Sequence, residues 1–287
     1  MKIFRYWVRK DITLYNTVYH LKAGSNESYE HAENILKIKI ALVGKYAEDA
    51  IQEKPFSQEE IEQKRNELFA SDPTAYEATI CEELCESLDE HNIITRNRYG
   101  ALVLNSDELL FLDIDHLPLT FGEFFAQIFG RKIPDMKKRI LKLIGKTSLE
   151  PEYENIGFRV YETARGIRLL VSLNAADTLK TPRFKQLCKK FKVDSLYEAL
   201  CIKQNCCRAR LTPKPARIHM KTLIKLRFPY EPETEKIIKS WTEEYQTRSG
   251  DFAVCRLLAS FGKKFPLSPA VEYHDRITGI DKNLPLA

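Results

Sequence analysis

The alternation of apolar and polar positions divides the chain into a mainly helical first third, a strand-rich middle and a helical end. Lys2 to Leu14 hold an aromatic and β-branched run that predicts an edge strand. A helix is expected after Gly24-Ser25-Asn26, with Ser28 as N-cap and apolar residues at Ala32, Ile35, Leu36, Leu42, Val43 and Tyr46. Lys39 interrupts that stripe, and Ile38 to Leu42 alternates, so a strand is the competing pattern there. Pro55 closes the region. Ser57-Gln58-Glu59-Glu60 reads as a capping box that opens a second helix through about Phe69. Asp72-Pro73 starts a third through about Glu90, with Ile80, Cys81, Leu84, Cys85 and Leu88 on its apolar stripe.

The middle of the chain changes period. Ile93 to Asn97 and Tyr99 to Leu104 read as strands, followed by the turn Asn105-Ser106-Asp107 and then Leu109-Leu110-Phe111-Leu112-Asp113-Ile114-Asp115. The pattern predicts a β-meander whose last strand ends in two carboxylates. Alternation puts Leu110, Leu112 and Ile114 on one face, and Phe111, Asp113 and Asp115 on the other. The two aspartates stand about 7 Å apart along the backbone, at about 3.3 Å per residue. Helical segments are expected over Phe121 to Gly130 and Pro134 to Ile144. Gly157 to Thr163 and Ile167 to Leu173 form a hairpin around Ala164-Arg165-Gly166. Thr181 to Gln204 reads as two short helices separated near Val193-Asp194, and Cys207 to Leu211 as a strand closed by Thr212-Pro213-Lys214-Pro215. The end is expected to be helical over Glu233 to Thr247, with Ile237, Ile238, Trp241 and Tyr245 inward. A further helix is expected over Gly250 to Ser260, then irregular chain.

Composition adds little. The 287 residues carry a formal net charge of +5, which permits an acidic partner without requiring one. No apolar run is long enough to span a membrane, and Met1 to Trp7 lacks the apolar core of a signal peptide, so a cytoplasmic location is expected. Seven cysteines, an odd number without paired C-x-x-C sets, argue against a disulfide framework or a structural zinc site.

Candidate chemistry is confined to about 100 residues. Two adjacent carboxylates among apolar neighbours are costly unless cations compensate them, and Mg²⁺ or Mn²⁺ prefers such hard oxygen ligands. On the hairpin, Arg165 lies in the turn, and alternation leaves Arg168 on the face opposite Ile167, Leu169 and Val171. Val193-Asp194 supplies a third carboxylate. Arg208 and Arg210 share a strand face, with Lys214 just beyond, and guanidinium groups suit phosphate oxygens. His274-Asp275 reads more simply as a capping aspartate beside a surface histidine, and Cys207 as core.

The order of these motifs resembles the archaeo-eukaryotic primase superfamily, which includes the PrimPol enzymes. Leu112-Asp113-Ile114-Asp115 matches its hydrophobic-D-x-D/E motif, and Val193-Asp194 its hydrophobic-Asp pair. Tyr197, Arg208, Arg210 and Lys214 are similar to its downstream nucleotide-binding segment. The second motif departs, since Arg168 stands where that family has a histidine. The resemblance covers about Ile93 to Arg227. It implies an α+β fold: an RRM-like mixed or antiparallel sheet core at 93–230, a strand and helical layer at 1–92, and a helical segment at 231–287. It implies a nucleotidyltransferase in which Asp113, Asp115 and Asp194 hold two Mg²⁺ or Mn²⁺ ions. Arg165, Arg168, Arg208, Arg210 and Lys214 would bind a nucleoside triphosphate, and single-stranded or template-primer nucleic acid would be the partner. Two other readings stay open: a degraded primase-like module that binds nucleic acid or nucleotide without turnover, and a nuclease or glycosyltransferase using D-x-D. No Gly-rich phosphate loop is present to support a doubly wound nucleotide fold. Removing Asp113 or Asp115 is expected to leave stability unchanged or raise it, because two clustered charges repel.

Overall fold

A computed structural model describes residues 1–14, 16–51 and 78–287. It is a mixed α+β architecture: antiparallel sheets with flanking helices. Strands β1 (Tyr6–Leu14) and β2 (Thr17–Ser25) pair as a hairpin, turning at Asn16, whose φ of 63° is the left-handed conformation that tight hairpins use. The sequence pattern shows only the first of these two strands. Helix α1 (Tyr29–Ile51) follows as expected, and the Ser28 hydroxyl accepts from the His31 amide at 3.0 Å.

The second expected helix, Ser57 to Phe69, lies outside the described residues. The third does not form where the chain is described. Ile80 bridges Ile3, and β3 (Glu83–Ser87) pairs with β4 (Asn92–Arg96). The apolar spacing of four at Ile80, Leu84 and Leu88 fits a strand face as well as a helix stripe, because four is a multiple of both periods within tolerance. Cys85 is exposed as a result.

Two four-stranded sheets make the centre. One runs β3-β4-β5-β9, with β5 at Leu102–Ser106 and β9 at Cys207–Arg210. The other runs β10-β7-β8-β6, with β6 at Leu109–Ile114, β7 at Gly157–Thr163, β8 at Ile167–Asn174 and β10 at Cys255–Gly262. The expected meander is therefore broken between β5 and β6. Strand β5 already has β4 and β9 as neighbours, so β6 must pair elsewhere, and it lies antiparallel to β8. Ser106 makes the switch: its hydroxyl accepts from the Leu109 amide at 2.8 Å and donates to Asn92 at 2.7 Å.

Strand β6 is buried on both faces over Leu109 to Leu112. One face packs on Phe158, Val160, Leu169 and Val171, and beyond them on α3 (Met136–Thr147) and α5 (Pro182–Phe191). Phe158 meets Phe191 edge-on at 6.2 Å. The other face carries Phe111 towards His274 of α8 (Pro269–Thr278), with ring centroids 5.2 Å apart. Helices α2 (Phe121–Ile128), α4 (Ala175–Leu179), α6 (Ser195–Gln204) and α7 (Glu235–Ser249) complete the described set.

Two further differences fall at the C-terminal end. Cys255 to Gly262 is a strand, not a helix, because it completes the sheet against β7. The stretch expected to be irregular contains α8, whose punctuation is legible afterwards: Ser268 caps it, Pro269 opens it and Gly279, at φ 72°, ends it. Within α7, Ile238 and Tyr245 are inward but Ile237 is exposed.

The turn of the β7–β8 hairpin presses on the end of β6. A Cβ at Gly166 would lie 2.1 Å from the Ile114 carbonyl oxygen and 2.9 Å from Asp115 Cα. Gly166→Ala should therefore lower the unfolding free energy by about 1–3 kcal/mol through overpacking, measurable by denaturant titration. An unchanged midpoint would mean the hairpin does not seat on β6.

Candidate functional site

The register of β6 on β8 sets Asp113 directly opposite Arg168. Arg168 is only 2% exposed, and every nitrogen of its guanidinium is engaged. Nε donates to Asp113 Oδ1 at 2.9 Å and Nη2 to Oδ2 at 3.4 Å. Nη1 donates to the Arg210 carbonyl at 2.9 Å and lies 3.3 Å from His274 Nε2 and 3.7 Å from Cys255 Sγ. Burial alone would weaken this cation, but the Asp113 charge and hydrogen bond, together with Cys255 and Tyr197, more than offset it and hold the proton more firmly than usual. Arg168 was expected to touch a triphosphate; in the structure its guanidinium is buried and turned to Asp113, the Arg210 carbonyl and His274, with α8 and β9 over its strand face.

His274 is fully buried, not a surface residue. Arginine can only donate, so His274 Nε2 accepts from it, and Nδ1–H donates to Asp275 Oδ1 at 3.0 Å. Asp275 in turn pairs with Arg159 on β7. Burial pushes the imidazole below its ordinary pKa, and the Arg168 charge adds to this against the opposing Asp275 hydrogen bond. The sequence offered the His-Asp pair but no sign that α8 would lie across the sheet.

Asp113 is half-buried, with its side chain 36% exposed, and Asp115, just past the strand end, is exposed. Around them stand the cations of β9, the following loop and the hairpin turn. Arg210 donates to the main-chain oxygens of Thr212 and Ala287. Burial and the Arg168 and Arg217 charges lower its pKa to about 10. Lys214 is pulled down by burial, then by Arg210 and Arg217, with Asp115 opposing. Arg217, which sequence reasoning missed, is lowered by burial and then by Arg165, again against Asp115. Its signal was faint: the Lys214-Pro-Ala-Arg spacing around a short helical turn at Pro215–Ile218. Arg165, Lys214 and Arg217 make no side-chain hydrogen bond or ion pair among the described residues. This is an electropositive group that lacks enough counter-charge.

Arg208 is set apart. It forms an ion pair with Glu82 and lines a cleft of about 520 Å³ with Asp113, Arg210, Tyr99 and Leu200. Tyr197 closes the back of that cleft. Its hydroxyl donates to the Phe111 carbonyl at 3.0 Å, tying α6 to β6, and burial raises its pKa well above the ordinary value.

Asp194 is placed otherwise than expected. It is the N-cap of α6, exposed, and accepts from the Tyr197 amide at 2.9 Å. Among the described residues no three His, Cys, Asp or Glu side chains converge to hold a metal ion. The three-carboxylate, two-ion arrangement therefore does not fit these side chains. Asp113 and Asp115 alone suit a single hard cation that takes its remaining ligands from a bound polyphosphate, as Mg²⁺ commonly does.

Arg168→Ala should destabilise the fold by about 3 kcal/mol, the low end for a broken buried pair, since Asp113 keeps some access to water. Asp113→Ala should also destabilise, reversing the expectation drawn from charge repulsion, because it strands a buried guanidinium. Equilibrium unfolding of both variants checks this, and wild-type stability would refute the pairing. His274 is neutral when folded, and its folded pKa lies below its unfolded value of about 6.5. The unfolded chain therefore binds the extra proton first, and stability should fall as pH drops below about 6.5. His274→Gln should flatten that part of the pH–stability curve; an unaltered slope would contradict the assignment.

No helix among the described residues is long and apolar enough to cross a membrane. Compared with protein-family models, curated proteins and solved structures, the chain matches none.

Proposed function

We propose that the chain is a primase-polymerase-like nucleotidyltransferase that takes a nucleoside triphosphate at the end of β6. The observation that carries this reading is the placement of two carboxylates, Asp113 and Asp115, beside Arg165, Lys214 and Arg217, which make no ion pair among the described residues; burial, and then neighbouring positive charge, lowers the pKa of Lys214 and Arg217. Such a group is stabilised by a polyanion, and the carboxylates beside it would repel one unless a divalent cation joined them. A polyphosphate with Mg²⁺ or Mn²⁺ meets both conditions.

In nucleotidyl transfer a 3′-oxygen attacks the α-phosphorus and pyrophosphate leaves. Arg165, Lys214 and Arg217 would hold the phosphates and offset the negative charge that builds up on them. Lys214 is a mobile point charge, whereas the two arginines can fork onto phosphate oxygens. Arg168 acts on this chemistry only through Asp113, whose carboxylate it fixes in place. A bound divalent ion would lower the pKa of the attacking hydroxyl and screen the phosphate charge. The cleft beside Asp113, with Tyr99 and Leu200 on its walls, has room for a nucleoside. A reducing, cytoplasmic setting suits the seven free thiols.

One observation favours a second reading, binding without turnover: Asp194 is engaged in capping α6. The assay that decides is incubation with labelled nucleoside triphosphates, single-stranded DNA and Mn²⁺, with products resolved on a gel. A ladder that disappears in Asp115→Asn supports transfer. Nucleotide or oligonucleotide binding with no ladder leaves the binding module, and no binding of either refutes both.

Lys214→Gln and Arg217→Gln should each weaken triphosphate binding about tenfold, since a hydrogen bond to a charged group contributes about 1.5–3 kcal/mol. Arg208→Gln should have a smaller effect, because its charge is already answered by Glu82. Titration with a fluorescent triphosphate measures both; equal losses at all three positions would contradict the assignment.

A further inference from the structure

Helix α2 buries none of its residues. Phe121 is 79% exposed and Phe129, at its end, 77%; Phe124, Phe125 and Ile128 are exposed as well. Such a helix gains nothing from a core, so something else must hold it. Thr120 and Glu123 form a reciprocal capping box. Arg139, nearly buried at the start of α3, donates from Nε to Glu123 Oε1 at 2.8 Å and from Nη2 to Oε2 at 2.7 Å. The same guanidinium also binds the Leu117 and Pro118 carbonyls, at 3.0 and 2.6 Å. Hydrogen bonds from Arg139 and the Thr120 amide hold the Glu123 carboxyl down to about 2. The apolar face is thus presented outward by a polar clamp.

The helix that supplies the clamp carries a second feature. Lys138, Lys142 and Lys146 recur every four residues along the exposed side of α3, opposite buried Ile140 and Ile144. Residues four apart on a helix stand one above another, about 6 Å along the axis at 1.5 Å per residue. None of the three makes an ion pair or side-chain hydrogen bond among the described residues. Arg131 and Lys132, also exposed, extend the charge between the two helices.

We propose that this surface docks a single-stranded nucleic acid, its bases stacking on Phe121, Phe124 and Phe129 and its phosphates lying along Lys138, Lys142 and Lys146. The proposal rests on the nucleotide reading of the β6 end and supplies its polymer partner. Flat aromatic rings rather than branched aliphatic side chains dominate the face, and every base offers a ring to stack on. The lysine stripe complements a phosphate backbone. A second copy of the chain would bring two such stripes together and repel. Phe121 follows Asp115 by six residues, which limits their separation to about 20 Å of extended chain.

The test uses the full chain and a fluorescent oligo-dT of about 20 nucleotides, with affinity measured against salt. Replacing Phe121, Phe124 and Phe129 together by Ser should weaken binding at least tenfold. Changing Lys138, Lys142 and Lys146 together to Gln should reduce the slope of log affinity against log salt by about 2, at about 0.7 for each phosphate no longer neutralised. All six side chains are exposed and none packs on the core, so circular dichroism and triphosphate binding should stay as in the parent chain. Unchanged oligonucleotide affinity in both variants, or no binding by the parent, overturns the proposal. So does tighter binding to phosphatidylserine vesicles that the same variants abolish, which would make the face a membrane contact. Oligonucleotide binding of the expected form in a chain that binds no triphosphate keeps this surface and refutes the site at β6.

Discussion

A single buried guanidinium organises the candidate site. Arg168 stands where two sheets and the last helix meet, and it cannot shed its charge at any accessible pH. Placing it there obliges the fold to surround it with acceptors: Asp113 from β6, the Arg210 carbonyl from β9 and His274 from α8. Each acceptor in turn needs its own support, which is why Asp275 and Arg159 extend the network across the sheet. The burial of one cation thereby fixes the orientation of the carboxylate at the strand end and the position of the basic strand beside it.

This arrangement separates two kinds of positive charge. Arg168 and Arg208 are answered by carboxylates, Asp113 and Glu82, and hold the fold together. Arg165, Lys214 and Arg217 make no ion pair among the described residues and stand beside Asp113 and Asp115, while Arg210 donates to main-chain oxygens. The consequence is a smaller acidic centre than the motif order suggests, with two carboxylates rather than three at the end of β6.

Much of this was legible in the residues, and the failures have physical causes. The β7–β8 hairpin followed from its Gly-containing turn between apolar runs, and the Asp-bearing strand from its length and its β-type apolar run. The pairing of strands was not legible, because hydrogen-bond partners far apart in sequence leave no local trace; β6 left the meander when β9 took its place beside β5. Arg168 looked available because alternation tells which face a residue lies on, but not what covers that face. Asp194 looked like a ligand because a hydrophobic-Asp pair has the same spelling whether the aspartate ends a strand or caps a helix. The helix at Phe121 was expected from its period, yet a period alone does not reveal that its apolar side stays exposed.

The most direct measurement is the number of divalent ions the protein holds, counted by electron paramagnetic resonance as Mn²⁺ is titrated with and without a nucleoside triphosphate. The account predicts one ion, bound weakly alone, more tightly with the triphosphate, and lost when Asp115 becomes Asn. Two ions with the triphosphate, or a triphosphate whose binding is indifferent to the metal and to Asp115, would contradict it.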